Sequence, residues 1–177
     1  MLKEYIMPFV KECESTFLTT MNIKITAGRP YVTEIRLINQ GDISTIIEFS
    51  GDVTGATALS MDKSSALKLA DMLIGSPHDE VNNEVLEVIS ELTNIFAGQA
   101  KKHFEKIAAL FISLPVVVVD GKFSKPFYSE SRYIAIPFSF MEDFEFILTI
   151  YISNEDSGGG GGGGRRLARH SRDTVDA

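Results

Sequence analysis

Glu91 and Asn94 stand three residues apart in a stretch of helical periodicity, and Gly98 follows four residues later. On a helix, positions three apart project side by side from neighbouring turns, here a carboxylate beside a carboxamide. At about 100° per residue, Val85, Val88, Ile89, Leu92, Ile95, Phe96, Ala100 and His103 share one arc of roughly 140°, which predicts the core face. Glu84, Glu87, Glu91, Asn94, Gly98 and Lys101 fall almost opposite. Three features of that outward face work against the helix carrying it. Glu87 and Glu91 are like charges at i, i+4. Asn94 is a poor helix-interior residue, and Gly98 costs roughly 1 kcal/mol relative to Ala there. A bare glycine beside a projecting amide suits close approach by another molecule's backbone. Glu87, Gly98 and Lys101 are therefore candidate partner contacts around a Glu91–Asn94 pair. The pattern alone leaves a plain solvated acidic face open, since Glu80 and Asn83 form a second Glu-x-x-Asn pair.

Little else in the chain competes for chemistry. Its one cysteine, Cys13, cannot close an intrachain disulfide, and no Cys/His cluster has metal-ligand spacing. Cys13 reads as a plain buried thiol. His78 lies beside a loop proline and His103 on the predicted core face, where it reads as a satisfied interior histidine rather than an acid–base group. No glycine-rich phosphate loop and no G-x-S-x-G motif occur. Asp52-Val53-Thr54-Gly55 matches a short catalytic acid motif by letters, and a hairpin turn explains it better. Phe138, Phe140, Phe144 and Phe146 alternate as core strand residues do.

The elements that must hold the Glu91–Asn94 helix come from the rest of the 177 residues. From Asp156 onward, Gly158–Gly164 and an Arg-rich stretch read as a flexible tail, extraneous to folding, leaving one domain over residues 1–155. That domain carries 13 basic and 21 acidic residues, a balance of −8, which lacks the basic face that a phosphate backbone requires. Nucleic acid is not an expected partner. With no apolar run of about 18 residues and charges scattered through the first 22, a reduced, cytoplasmic protein without a membrane span is expected. Ile6, Phe9, Cys13, Phe17 and Met21 predict a helix over 2–20, with Pro8 kinking it or delaying its start. Strands are predicted at 23–27, 31–38, 43–50 and 53–61, the turn at Asn39–Asp42 making an antiparallel meander. A short helix runs from Asp62 or Ser64 to Ile74, and a long one from about Asp79 to Lys106. Strands at about 109–120, 132–141 and 145–152 complete an α+β order, an antiparallel sheet with two long helices packed on one face.

Several stretches together resemble the CheX type of chemotaxis phosphatase, of the CheC/CheX/FliY group, over essentially residues 1–153. The likeness is carried by Glu4-Tyr5-Ile6 with Pro8-Phe9, by Phe49-Ser50-Gly51-Asp52-Val53-Thr54-Gly55, and above all by Glu91-Leu92-Thr93-Asn94-Ile95-Phe96-Ala97-Gly98 with Leu114-Pro115 downstream. The resemblance implies two long helices over an antiparallel sheet, and hydrolysis of the aspartyl phosphate on a response-regulator receiver domain, phospho-CheY. It implies that Asn94 enters the receiver's active site and orients the water while Glu91 pairs with the phosphate-site lysine. Mg²⁺ would sit on the receiver, with no cofactor on this chain, and the protein would be a homodimer built through its sheet with one such site per chain. Two departures stand out. The family commonly has Ser or Asp where Glu87 lies, and a longer interval to its proline than the 20 residues between Asn94 and Pro115.

The chemistry suits that implication. An aspartyl phosphate is already activated and its transition state is loose, so the catalyst must place water rather than supply a nucleophile. A carboxamide can donate to and accept from that water without repelling phosphoryl oxygens as a carboxylate would. The competing expectation is a dimeric adaptor that binds a signalling or flagellar-switch protein without turnover. An adaptor has no reason to keep a water-orienting amide beside a clamp carboxylate.

Overall fold

The computed structural model describes residues 2–34, 42–105, 109–120 and 132–153. The predicted tail from residue 156 and the turn at Asn39–Gly41 lie outside the described residues, as does the 35–38 part of the second strand. Helix α1 (Leu2–Met21) buries Ile6, Phe9, Cys13 and Phe17 at three- and four-residue intervals. It runs on through Pro8 rather than starting after it. It stops where Asn22 takes a left-handed φ of 55°, with Ile23 N–H donating to Phe17 O (3.3 Å) and Asn22 N–H to Leu18 O (3.0 Å). Burial holds the Cys13 thiol far above its ordinary pKa, so it is inert at neutral pH.

Strands β1 (Thr26–Ala27), β2 (Tyr31–Glu34), β3 (Ile43–Gly51), β4 (Thr54–Met61), β5 (Leu110–Ile112), β6 (Val116–Val119), β7 (Arg132–Phe140) and β8 (Phe144–Ser153) form one antiparallel sheet. Its order is β1-β7-β8-β4-β3-β5, with β2 also along β7 and β6 also along β3. The β3–β4 and β7–β8 hairpins form as the sequence predicts. The meander does not extend to β2, which crosses to the far edge and pairs Tyr31 with Ala135. The predicted strand at 23–27 shrinks to Thr26–Ala27, although Ile23 and Ile25 are buried. The predicted strand at 109–120 is broken at Ser113-Leu114-Pro115, where proline has no N–H for the ladder. Ser113 bridges the break, its N–H donating to Glu48 O and its hydroxyl accepting from Glu48 N–H, both at 3.0 Å. The hairpin around Asp52 needs glycine before it. Gly51 has φ +121°, and a Cβ there would stand 2.2 Å from Ala109 O.

Helices α1, α2 (Lys63–Ile74) and α3 (Asn83–Phe104) all pack on one face of this sheet, as expected of the fold class. Their shared core is aromatic. Phe17 stacks on Phe146 (4.8 Å) and Phe9 on Phe49 (5.0 Å), and Phe9 also meets Phe104 from the end of α3 (5.8 Å). Asp62 caps α2, accepting from Ser65 N–H at 2.7 Å, and Gly75 ends it with φ 79°.

The α2–α3 connection is fastened by His78, whose side chain is 8% exposed. Its backbone N–H and its Nδ1 both lie within hydrogen-bond distance of Asp71 Oδ1 (2.8 and 2.9 Å), and Nε2 lies 3.4 Å from Glu84. The Asp71 hydrogen bond raises the imidazole pKa above its ordinary 6.5, burial opposes this, and Glu84 adds to the rise. The folded state thus binds this proton more tightly than the unfolded chain, so the stabilisation is complete below about 6.5 and is lost as pH climbs through the raised value. Melting temperature is expected to fall over that window in the wild-type protein and to fall less in His78→Ala. Parallel pH profiles for the two would show that the clamp contributes nothing.

Candidate functional site

Helix α3 presents the predicted pair. Asn82 begins it, its side chain accepting from Val85 N–H at 3.0 Å, so the helix starts at Asn83 rather than near Asp79. Glu80 and Asn83 consequently share no helical turn. The buried residues are Val85, Ile89, Leu92, Thr93, Phe96, Ala97, Ala100 and Phe104. This face is turned from the predicted one. Val88 and Ile95 are only half-buried, and His103 is exposed, with Nε2 2.7 Å from Glu12 of α1. The reading of His103 as interior is thereby corrected. The cause is packing: Thr93, Ala97 and Ala100 are small enough to let the helix settle close against α1, α2 and the sheet, and the last turn places His103 beside Glu12 of α1.

With the core face so turned, Glu91 and Gly98 lie almost diametrically opposite it, while Asn94 sits on the flank, about 130° away at 100° per residue. Glu87 and Glu91 are exposed, and Asn94, Gly98 and Lys101 half-buried. Neither the Glu91 carboxylate nor the Asn94 amide makes a hydrogen bond or ion pair with another described residue. Both are held by their helix alone. Thr93, next to Asn94 in the chain, fixes the same turn to the core by its burial. Fully buried, it donates its hydroxyl to Ile89 O at 2.8 Å and ties the turn from which Asn94 projects. A threonine next to a projecting amide was the available sign.

Gly98 is the most informative neighbour. A Cβ there would meet nothing within 4 Å, so nothing in the fold requires glycine at this position. Alanine gains up to about 1 kcal/mol of helix preference, and Gly98→Ala is expected to raise the melting temperature by about 2–3 °C. It should at the same time weaken binding of a partner that comes down onto the bare backbone. A lowered melting temperature in calorimetry would assign the glycine to the fold instead.

Elsewhere the described residues give chemistry few footholds. No three His, Cys, Asp or Glu side chains converge among them. A cavity of about 480 Å³ between α1 and the β1–β2 turn is lined by apolar residues such as Ile6, Val10, Pro30 and Ile136 and offers no polar group to orient a reaction. Asp52 serves structure: its N–H donates to Ala109 O (2.9 Å), and its Oδ2 accepts from Ala109 N–H (2.8 Å). No helix among the described residues is long and apolar enough to cross a membrane.

The chemotaxis phosphatase CheX family matches residues 43–139, which contain all of α3. No curated protein matches the chain by sequence. Among solved structures, chemotaxis protein CheX from Vibrio vulnificus is 24% identical, with a TM-score of 0.74 over 85% of this chain and 99% of that one. A CheC-like superfamily protein from Shewanella sp. PV-4 is 23% identical, with a TM-score of 0.72 over 85% of this chain and 98% of that one. The CheX of a CheX–CheY–BeF3–Mg²⁺ complex from Borrelia burgdorferi is 24% identical, with a TM-score of 0.69 over 84% of this chain and 97% of that one.

Proposed function

Because the chain belongs to the chemotaxis phosphatase CheX family, we propose that it hydrolyses the aspartyl phosphate of a CheY-type receiver domain, acting in trans from the outward face of α3. The observation that carries this reading is the Asn94 amide, raised on a helix flank beside Glu91 with no partner among the described residues of its own chain. An amide so placed costs the helix stability and returns nothing to the fold. In a phosphorylated pocket its oxygen can accept a hydrogen bond from the attacking water while its NH2 donates to a phosphoryl oxygen, holding the water in line. Glu91, one turn back and about 5–6 Å away at Cβ, pairs with the receiver's phosphate-site lysine and sets the depth of entry. The divalent cation that neutralises the developing charge belongs to the receiver.

Gly98 admits the partner's backbone, and Glu87 borders the contact. The CheY complex of the Borrelia burgdorferi relative supports a receiver as partner. The active species is a homodimer formed through the sheet. Tyr31, Phe111 and Val116, 42%, 63% and 45% exposed on the sheet face turned away from the helices, are apolar surface that a second copy would cover.

Since both groups reach toward a phosphoryl-bearing pocket, affinity must depend on the state of that pocket. Titration of the protein with an isolated CheY receiver should give at least tenfold tighter binding to the beryllofluoride-activated form than to the unmodified one. Equal affinity for the two forms would contradict the proposal.

A further inference from the structure

We infer that Lys101 is a second docking element of opposite sign, meeting an acidic side chain on the rim of the partner's phosphorylated pocket and so fixing the direction in which the partner lies along α3. This rests on the receiver reading above and concerns the same face. Glu87, Asn94 and Lys101 follow one another at seven-residue intervals. They drift by only about 20° per step and stand about 10.5 Å apart along the axis. The row reads carboxylate, amide, ammonium. Between Asn94 and Lys101 lies Gly98, where the surface is bare and a Cβ would touch nothing within 4 Å.

The three basic residues of the last turn are not equivalent. Lys102 donates to Gln99 Oε1 at 2.9 Å, and His103 is joined to Glu12 at 2.7 Å. Lys101, half-buried and on the Asn94 flank, makes no hydrogen bond or ion pair with another described residue, Glu105 one turn onward included. All three complement the negative end of the helix dipole, so the dipole explains a cation in this turn but not its alignment with Asn94. A partner whose lysine meets Glu91 and whose acidic rim meets Lys101 is satisfied at both ends. Reversed along the helix, it would face like charges at both, and that mismatch excludes the wrong pose.

The test is affinity for an isolated, beryllofluoride-activated CheY receiver, measured by titration calorimetry at low and at high salt. Lys101→Glu should raise Kd about tenfold at low salt, the difference shrinking at high salt as the ionic contact is screened. Lys101→Gln should give a smaller rise. Lys102→Glu makes the same change in net charge and in the helix-end field, and should leave Kd within about twofold. Equal effects of the two reversals would reduce the result to general charge and overturn the docking role. An unchanged Kd in Lys101→Glu, with Asn94→Ala inactive, would overturn the docking role and leave the phosphatase reading standing. Failure of the wild-type protein to bind the activated receiver would overturn both.

Discussion

Asn94→Ala is expected to reduce acceleration of receiver dephosphorylation by about two orders of magnitude or more, to the receiver's own decay rate, while the protein still folds and still binds. The size follows from what the amide supplies. A loose transition state leaves few catalytic tasks besides placing the water, and a misplacement of about 1 Å costs roughly a hundredfold. The fold should be indifferent, because the side chain makes no hydrogen bond with a described residue and alanine is the better helix former. Loss of turnover with a melting temperature equal to or above that of the wild type, together with near-normal affinity for an activated receiver, is the full expected pattern. Asn94→Asp keeps the shape but places a carboxylate among phosphoryl oxygens, and should be as inactive. An undiminished rate in Asn94→Ala would remove the residue from the mechanism.

Glu91→Lys should weaken the complex by about a hundredfold or more at low salt. In the proposed complex it would replace an attraction to the receiver's lysine with two like charges in contact, a mismatch of several kcal/mol. The monomer should barely notice, since Glu91 is exposed and lies four residues from Glu87, a like-charge neighbour whose repulsion the substitution removes. Glu91→Gln, which deletes the charge without reversing it, should fall between the wild type and Glu91→Lys. Receiver affinity by calorimetry would decide, and an unchanged value in Glu91→Lys would place the clamp elsewhere.

The helix carrying these residues was legible because its apolar and polar positions alternate with the period of a helix, and that period survives burial against any neighbour. Its exact rotation was not. A wheel weighted by large apolar residues counts Val88, Ile95 and His103 inward, whereas packing against α1, α2 and the sheet selected Thr93, Ala97 and Ala100, whose small size matters more than their hydrophobicity. The rotation moves Asn94 from the middle of the outward face to its flank, which sets how a partner must approach. The β3–β4 and β7–β8 hairpins were legible because turn residues are local. The destination of β2 was not, since a period of two tells which side of a strand is buried but not which strand lies beside it. Nothing near Tyr31 indicates pairing with Ala135, more than a hundred residues away. The glycine of the site is the reverse case. Gly98 looked costly in sequence, and the structure shows that the fold itself has no use for that cost.

Phosphate loss from an isolated, phosphorylated CheY receiver, followed with and without a substoichiometric amount of the wild-type protein, tests the central claim most directly. A decay rate that rises in proportion to added protein, with each chain clearing many receivers, is the predicted result. A time course identical with and without the protein, under conditions where the two are shown to bind, would contradict it.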